Sequence, residues 1–65
     1  MQMNTGKVIR TLRQTKHLSQ KRLAEIAGIS ASYLCDMEKG RYTGSVRVLE
    51  KVAAALQVDI VTLMK

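Results

Sequence analysis

Residues 18–40, LSQKRLAEIAGISASYLCDMEKG, leave the chain few ways to fold. Ser19 stands before Leu23, Ala24 and Ala27, apolar residues at helical spacing, and its hydroxyl can accept an orphan backbone N–H of a first turn. Gly28 follows, the residue best suited to a left-handed turn. Ile29 can fill the angle behind that turn. Ser30 then caps a second helix whose inward residues are Leu34 and Met37, and Gly40 ends it. The spacing predicts two short helices at a steep angle. Small residues at 24, 27 and 28 let them approach closely. The second helix is left with an exposed first turn that carries Ala31, Ser32, Cys35 and Asp36.

Two helices so joined form a helix-turn-helix, which sets its second helix in the major groove of DNA. The pattern L-S-Q-x-x-L-A-x-x-A-G-I-S-x-S-Y-L-x-x-M-E-x-G closely resembles the lambdoid Cro and repressor family, also called the XRE-like helix-turn-helix family. Upstream, Ile9-Arg10-x-Leu12-Arg13 is similar to that family's first helix. Downstream, Val46-x-x-Leu49-x-x-Val52-Ala53-x-x-Leu56-x-Val58 is similar to its fourth, and Ile60-x-x-Leu63-Met64 to its fifth. The resemblance covers about residues 5–64.

It implies an all-α fold: a compact five-helix, lambda-repressor-like DNA-binding domain. A single domain would span 1–65, with a loose arm over 1–4, the helix-turn-helix over 19–39 and the last two helices over 45–64. The implied function is sequence-specific binding of double-stranded DNA as a transcriptional repressor or controller. The implied assembly is a homodimer on a palindromic operator.

Charge agrees with such a partner. Lys and Arg total 11 against 5 Asp and Glu, a net charge of +6, which favours a polyanion. With 65 residues, the chain should bury only about 60% of its unfolded surface, so modest stability is expected. Proline is absent, in keeping with helices and short turns.

One cysteine and one histidine cannot form an intrachain disulfide or a structural metal site. No apolar run approaches the roughly 20 residues of a membrane span, and no signal peptide is evident. A cytoplasmic protein without metal, cofactor or small-molecule ligand domain is expected. No catalytic pair or phosphate-cradling glycine loop occurs, so an enzyme is not expected.

Along the chain, Thr5 or Asn4 is a candidate cap for a first helix at about 5–16. Ile9 and Leu12 face inward there, and Lys7, Arg10 and Gln14 share another face. That stripe is either a solvated surface or, for Lys7 or Arg10, a phosphate contact. His17 stands where the family usually has glycine. Histidine visits positive φ more readily than most residues, so a structural role is expected. Lys21 and Arg22 lie in the first turn of the next helix, against its dipole. A nearby phosphate would account for them. The resemblance gives Gln20 a phosphate contact and a share in supporting the recognition helix.

For that third helix, about 30–39, the resemblance implies base contacts by Ala31, Ser32 and Asp36, with Cys35 beside them. No Arg, Gln or Asn stands at these places to make a bidentate contact. Ala31 can touch a thymine methyl, Ser32 can donate or accept, and Asp36 can accept from a cytosine amino group. Either DNA shape carries much of the specificity, or Lys39 or Arg41 reaches a guanine at the edge of the site. Tyr33 either bonds a phosphate or lays its ring on the core. Cys35 is read as a small packing residue.

Lys39, Arg41, Tyr42, Thr43, Ser45 and Arg47 are the remaining implied phosphate contacts, with Arg10, Gln20, Lys21 and Tyr33. Gly44, where the family often has proline, should make the loop more mobile. The resemblance also implies a salt bridge between Arg13 and Glu38. The fourth helix, about 45–57, is expected to bury Val46, Leu49, Val52, Ala53 and Leu56. Asp59 is a cap candidate for the last, 60–64, where Ile60 and Leu63 close the core. Val58, Val61 and Met64 are left for a dimer interface. The alternative function is a protein-interaction module, antitoxin-like or partner-docking. The weak base-reading chemistry favours it and the positive charge disfavours it.

Overall fold

The computed structural model describes residues 5–42 and 44–64. Within them five α-helices follow one another: α1 (Thr5–Thr15), α2 (Gln20–Ala27), α3 (Ala31–Glu38), α4 (Val46–Leu56) and α5 (Ile60–Leu63). The expected loose arm, the Asn4 cap and the Thr43 contact lie outside the described residues.

Serine starts three of these helices. The Oγ atoms of Ser19, Ser30 and Ser45 accept the backbone N–H three residues on, from Arg22 at 3.0 Å, Tyr33 at 3.0 Å and Val48 at 3.2 Å. Each bond satisfies one donor that a helix N-terminus leaves open.

Four helices end in one way. After α1, the Leu18 N–H donates to the Arg13 carbonyl and the His17 N–H to that of Gln14. The same nested pair closes α2 (Ile29 to Ala24, Gly28 to Glu25), α3 (Arg41 to Asp36, Gly40 to Met37) and α4 (Val58 to Ala53, Gln57 to Ala54). These are Schellman closures, and each turns on a left-handed residue. Glycine supplies that conformation at 28 and 40, but His17 (φ +58°) and Gln57 (φ +61°) adopt it with side chains.

The core gathers Ile9 from α1, Leu23, Ala24 and Ala27 from α2, and Leu34 and Met37 from α3. Leu49, Val52, Ala53 and Leu56 from α4 and Leu63 from α5 complete it. α2 packs on both α3 and α4, α1 on α3, and α4 on α5. Gly6 brings the first turn of α1 against the end of α3, where a Cβ would overlap the Met37 carbonyl oxygen.

Three expectations need correction. Val46 is not buried but 61% exposed, and half-buried Val48 packs against the core instead. Helical side chains lean toward the N-terminus, so a residue at the first position hangs over the preceding loop. Thr5 is not a cap. It is already helical and buried, and its hydroxyl has no partner. Asp59 occupies the N-cap position of α5, but its side chain makes no capping bond. Gly44 has φ +82°, a conformation closed to proline.

Candidate nucleic-acid interface

An ion-pair network fixes the third helix from behind. Arg13 Nε donates to Glu38 Oε2 at 2.8 Å and Nη2 donates to Oε1 at 3.0 Å. Arg13 Nη1 donates to the Leu18 carbonyl oxygen at 2.8 Å, and Gln20 Nε2 donates to Glu38 Oε1 at 3.0 Å. One carboxylate thus joins α1, α2 and α3. The Glu38 side chain is 3% exposed and that of Arg13 11%. Such a bidentate pair adds orientation as well as energy. The Glu38 hydrogen bond raises the Arg13 pKa, desolvation opposes the shift, and Coulomb attraction to Glu38 adds to it. A raised cation contributes its stability below its unfolded pKa and loses it only as pH climbs past the folded one. For Arg13 that window is strongly alkaline, so its charge persists through neutral pH.

With Glu38 and Met37 turned inward, α3 presents its other side to solvent. Ala31 and Ser32 are exposed, Cys35 and Asp36 half-buried, and the four line one open depression. The structure therefore brings together all four candidate base-contacting residues. It also folds the following loop back on them. Arg41 Nη1 lies 3.8 Å from Asp36 Oδ1. Tyr42 meets Tyr33 edge to face, with ring centroids 5.7 Å apart at 83°.

The flanking cations are not among the residues that line this depression. Arg10, Lys21, Lys39 and Arg47 are exposed and make no salt bridge among the described residues. Lys21 lies in the first turn of α2 and Arg47 in that of α4, so cations and open amide donors coincide at two helix N-termini. Gln20 has one amide hydrogen on Glu38 and a second to give. Far from α3 in the chain, Val61 and Met64 are 60% and 41% exposed, while Val58 is half-buried.

Sequence reasoning missed three contacts: Gln20 with Glu38, Asp36 with Arg41, and Tyr33 with Tyr42. A signal existed for the second. A Schellman turn at Gly40 returns residue 41 to the level of residue 36. The other two join residues whose spacing follows no helical rule.

The helix-turn-helix family profile matches residues 9–63. The immunity repressor protein of Bacillus phage phi105 is 43% identical over 58 residues, which are 89% of this chain and 40% of that protein. The chain therefore spans less than half the length of that curated relative. Among solved structures, the restriction-modification controller protein C.AhdI from Aeromonas hydrophila superposes with a TM-score of 0.91 at 34% identity, covering 95% of this chain and 94% of that one. The master regulator for biofilm formation SinR, in complex with DNA, gives 0.86 at 42% identity, with 91% and 95% covered.

Proposed function

The chain belongs to the helix-turn-helix family, in its XRE-like, Cro/repressor branch, and from that premise we propose that it is a sequence-specific double-stranded DNA-binding regulator of transcription, a repressor or controller. One observation carries the reading: Ala31, Ser32, Cys35 and Asp36 form a single solvent-facing surface on a helix anchored from behind by Glu38. α3 enters the major groove with that surface toward the base edges. Ala31 meets a thymine methyl, while Ser32 and Asp36 exchange hydrogen bonds with base edges. Cys35 packs between them.

Phosphates of the flanking strands are held by Arg10, Lys21, Lys39 and Arg47, and by the second amide hydrogen of Gln20. The hydroxyls of Tyr33, Tyr42, Thr43 and Ser45 and the amide ends of α2 and α4 complete the grip. The protein acts as a homodimer, in the cytoplasm. Val58, Val61 and Met64 meet their counterparts across a two-fold axis, and the two copies of α3 sit about 34 Å apart, one turn of the duplex.

The test is a fluorescence anisotropy titration on a duplex recovered from a random pool, repeated over a range of salt. Log K should fall by about 0.9 per phosphate neutralised for each tenfold rise in salt. A flat response, or a pool that yields no common motif, would refute the reading.

A further inference from the structure

Asp36 and Arg41 meet across the closed end of α3. Gly40, at φ +83°, turns the chain back, and the Arg41 N–H donates to the Asp36 carbonyl oxygen at 2.9 Å. The side chains then approach to 3.8 Å, a loose ion pair rather than a hydrogen bond. The Arg41 side chain is 68% exposed and that of Asp36 31%. The guanidinium is tethered, yet its donors are open.

The rest of the surface makes this pairing informative. Ala31, Ser32 and Cys35 share the depression with Asp36, and none of the three can make a bidentate contact with a base. A carboxylate alone there could accept from a base amino group but would repel the backbone. With an arginine beside it the pair is close to neutral, so it adds little general attraction to phosphate. It has donors to spare, however. A guanidinium carries five N–H groups in a rigid fork. One can point at Asp36 while two parallel ones reach N7 and O6 of a guanine. Lys39 and Arg47, which have no carboxylate partner among the described residues, remain for the strands.

We propose that Arg41 reads a guanine at the edge of the operator and that Asp36 is the positioning residue that steers its guanidinium over the base edges and away from the adjoining phosphate. The assignment rests on α3 entering the major groove. It chooses between the two roles the sequence left open for Arg41, a strand contact and a guanine at the edge of the site, and adds the part played by Asp36.

The test uses the whole chain and four proteins: wild type, Arg41→Lys, Arg41→Ala and Asp36→Asn. Wild type is first used to recover its motif from a random duplex pool. All four are then titrated by anisotropy against three duplexes: the motif, the motif with its flanking G·C pair changed, and a scrambled sequence. Thermal melts by circular dichroism check that the variants fold, as expected for an exposed Arg41 and a half-buried Asp36.

Wild type should lose about 10-fold or more in affinity when the flanking pair is changed. Arg41→Lys keeps the charge but loses the fork, and it should bind the motif and its altered form alike, as should Arg41→Ala. Asp36→Asn should show a preference reduced several-fold together with tighter binding to the scrambled duplex, since one negative charge is gone. Full preference in Arg41→Lys, or equal weakening of all three duplexes in Arg41→Ala, would make Arg41 a phosphate contact and overturn the proposal. An unchanged preference in Asp36→Asn would overturn the positioning role. If wild type recovered no motif, the regulator reading itself would fall; the other negative results leave that reading standing.

Discussion

Replacing Glu38 by alanine removes a carboxylate that joins α1, α2 and α3. Its carboxylate, 3% exposed, accepts from Arg13 Nε at 2.8 Å, Arg13 Nη2 at 3.0 Å and Gln20 Nε2 at 3.0 Å. Without it the Arg13 guanidinium keeps, among the described residues, only the Leu18 carbonyl oxygen as partner, in a place 11% exposed. Breaking a buried pair from one side costs about 3–5 kcal/mol, because the remaining charge stays desolvated. Arg13 retains slight access to water, so the lower end applies, about 3 kcal/mol. A domain of this length has roughly 3–10 kcal/mol in total. The loss is therefore a large fraction of the whole, a fall in Tm of about 12–24 °C.

Thermal and urea melts by circular dichroism measure it. A second variant isolates the cause. Arg13→Met combined with Glu38→Leu removes both charges and fills the space with apolar atoms, and it should recover most of the lost stability. The reasoning fails if Glu38→Ala melts within about a degree of wild type, or if the double variant is less stable than Glu38→Ala alone.

Three further outcomes follow from the backbone and the surface. Gln57→Gly should stabilise the fold by up to about 1 kcal/mol, because the left-handed conformation costs a side chain about 1–2 kcal/mol and the added chain entropy of glycine returns only part of that; an unchanged urea midpoint would count against it. Gly6→Ala should cost about 1–3 kcal/mol as overpacking between α1 and the end of α3, read in the same melts. Val61→Asp should leave the melting of the monomeric fold within about 0.5 kcal/mol while shifting sedimentation from dimer toward monomer, and a dimer that persisted would place the interface elsewhere.

Much of the fold was legible because local chemistry and long-range packing agree. Ser19, Ser30 and Ser45 each cap the helix they precede. Gly28 and Gly40 end the helices they follow, and His17 takes the left-handed conformation that its place between two helices requires. Gln57 does the same with no warning in its residue type. Its left-handed turn precedes Val58 and Ile60, which pack against the core, a long-range contact that a propensity argument does not see. Val46 misled because its spacing matches the inward stripe of α4, while its place at the helix start decides where its side chain goes. At the candidate interface, the residues on the face of α3 followed from helical periodicity. The Gln20 bond to Glu38 did not, since it depends on the angle between two helices and not on either one.

The anchoring of α3 from one side has a consequence for how such a protein changes its target. Glu38, Met37 and Leu34 bind the helix to the body, whereas Ala31 and Ser32 face solvent. The helix is thus a mounting with an exchangeable edge. Under the proposed function, substitutions confined to that edge would retune the preferred operator at little thermodynamic risk, while a single change on the mounting side would threaten every target at once.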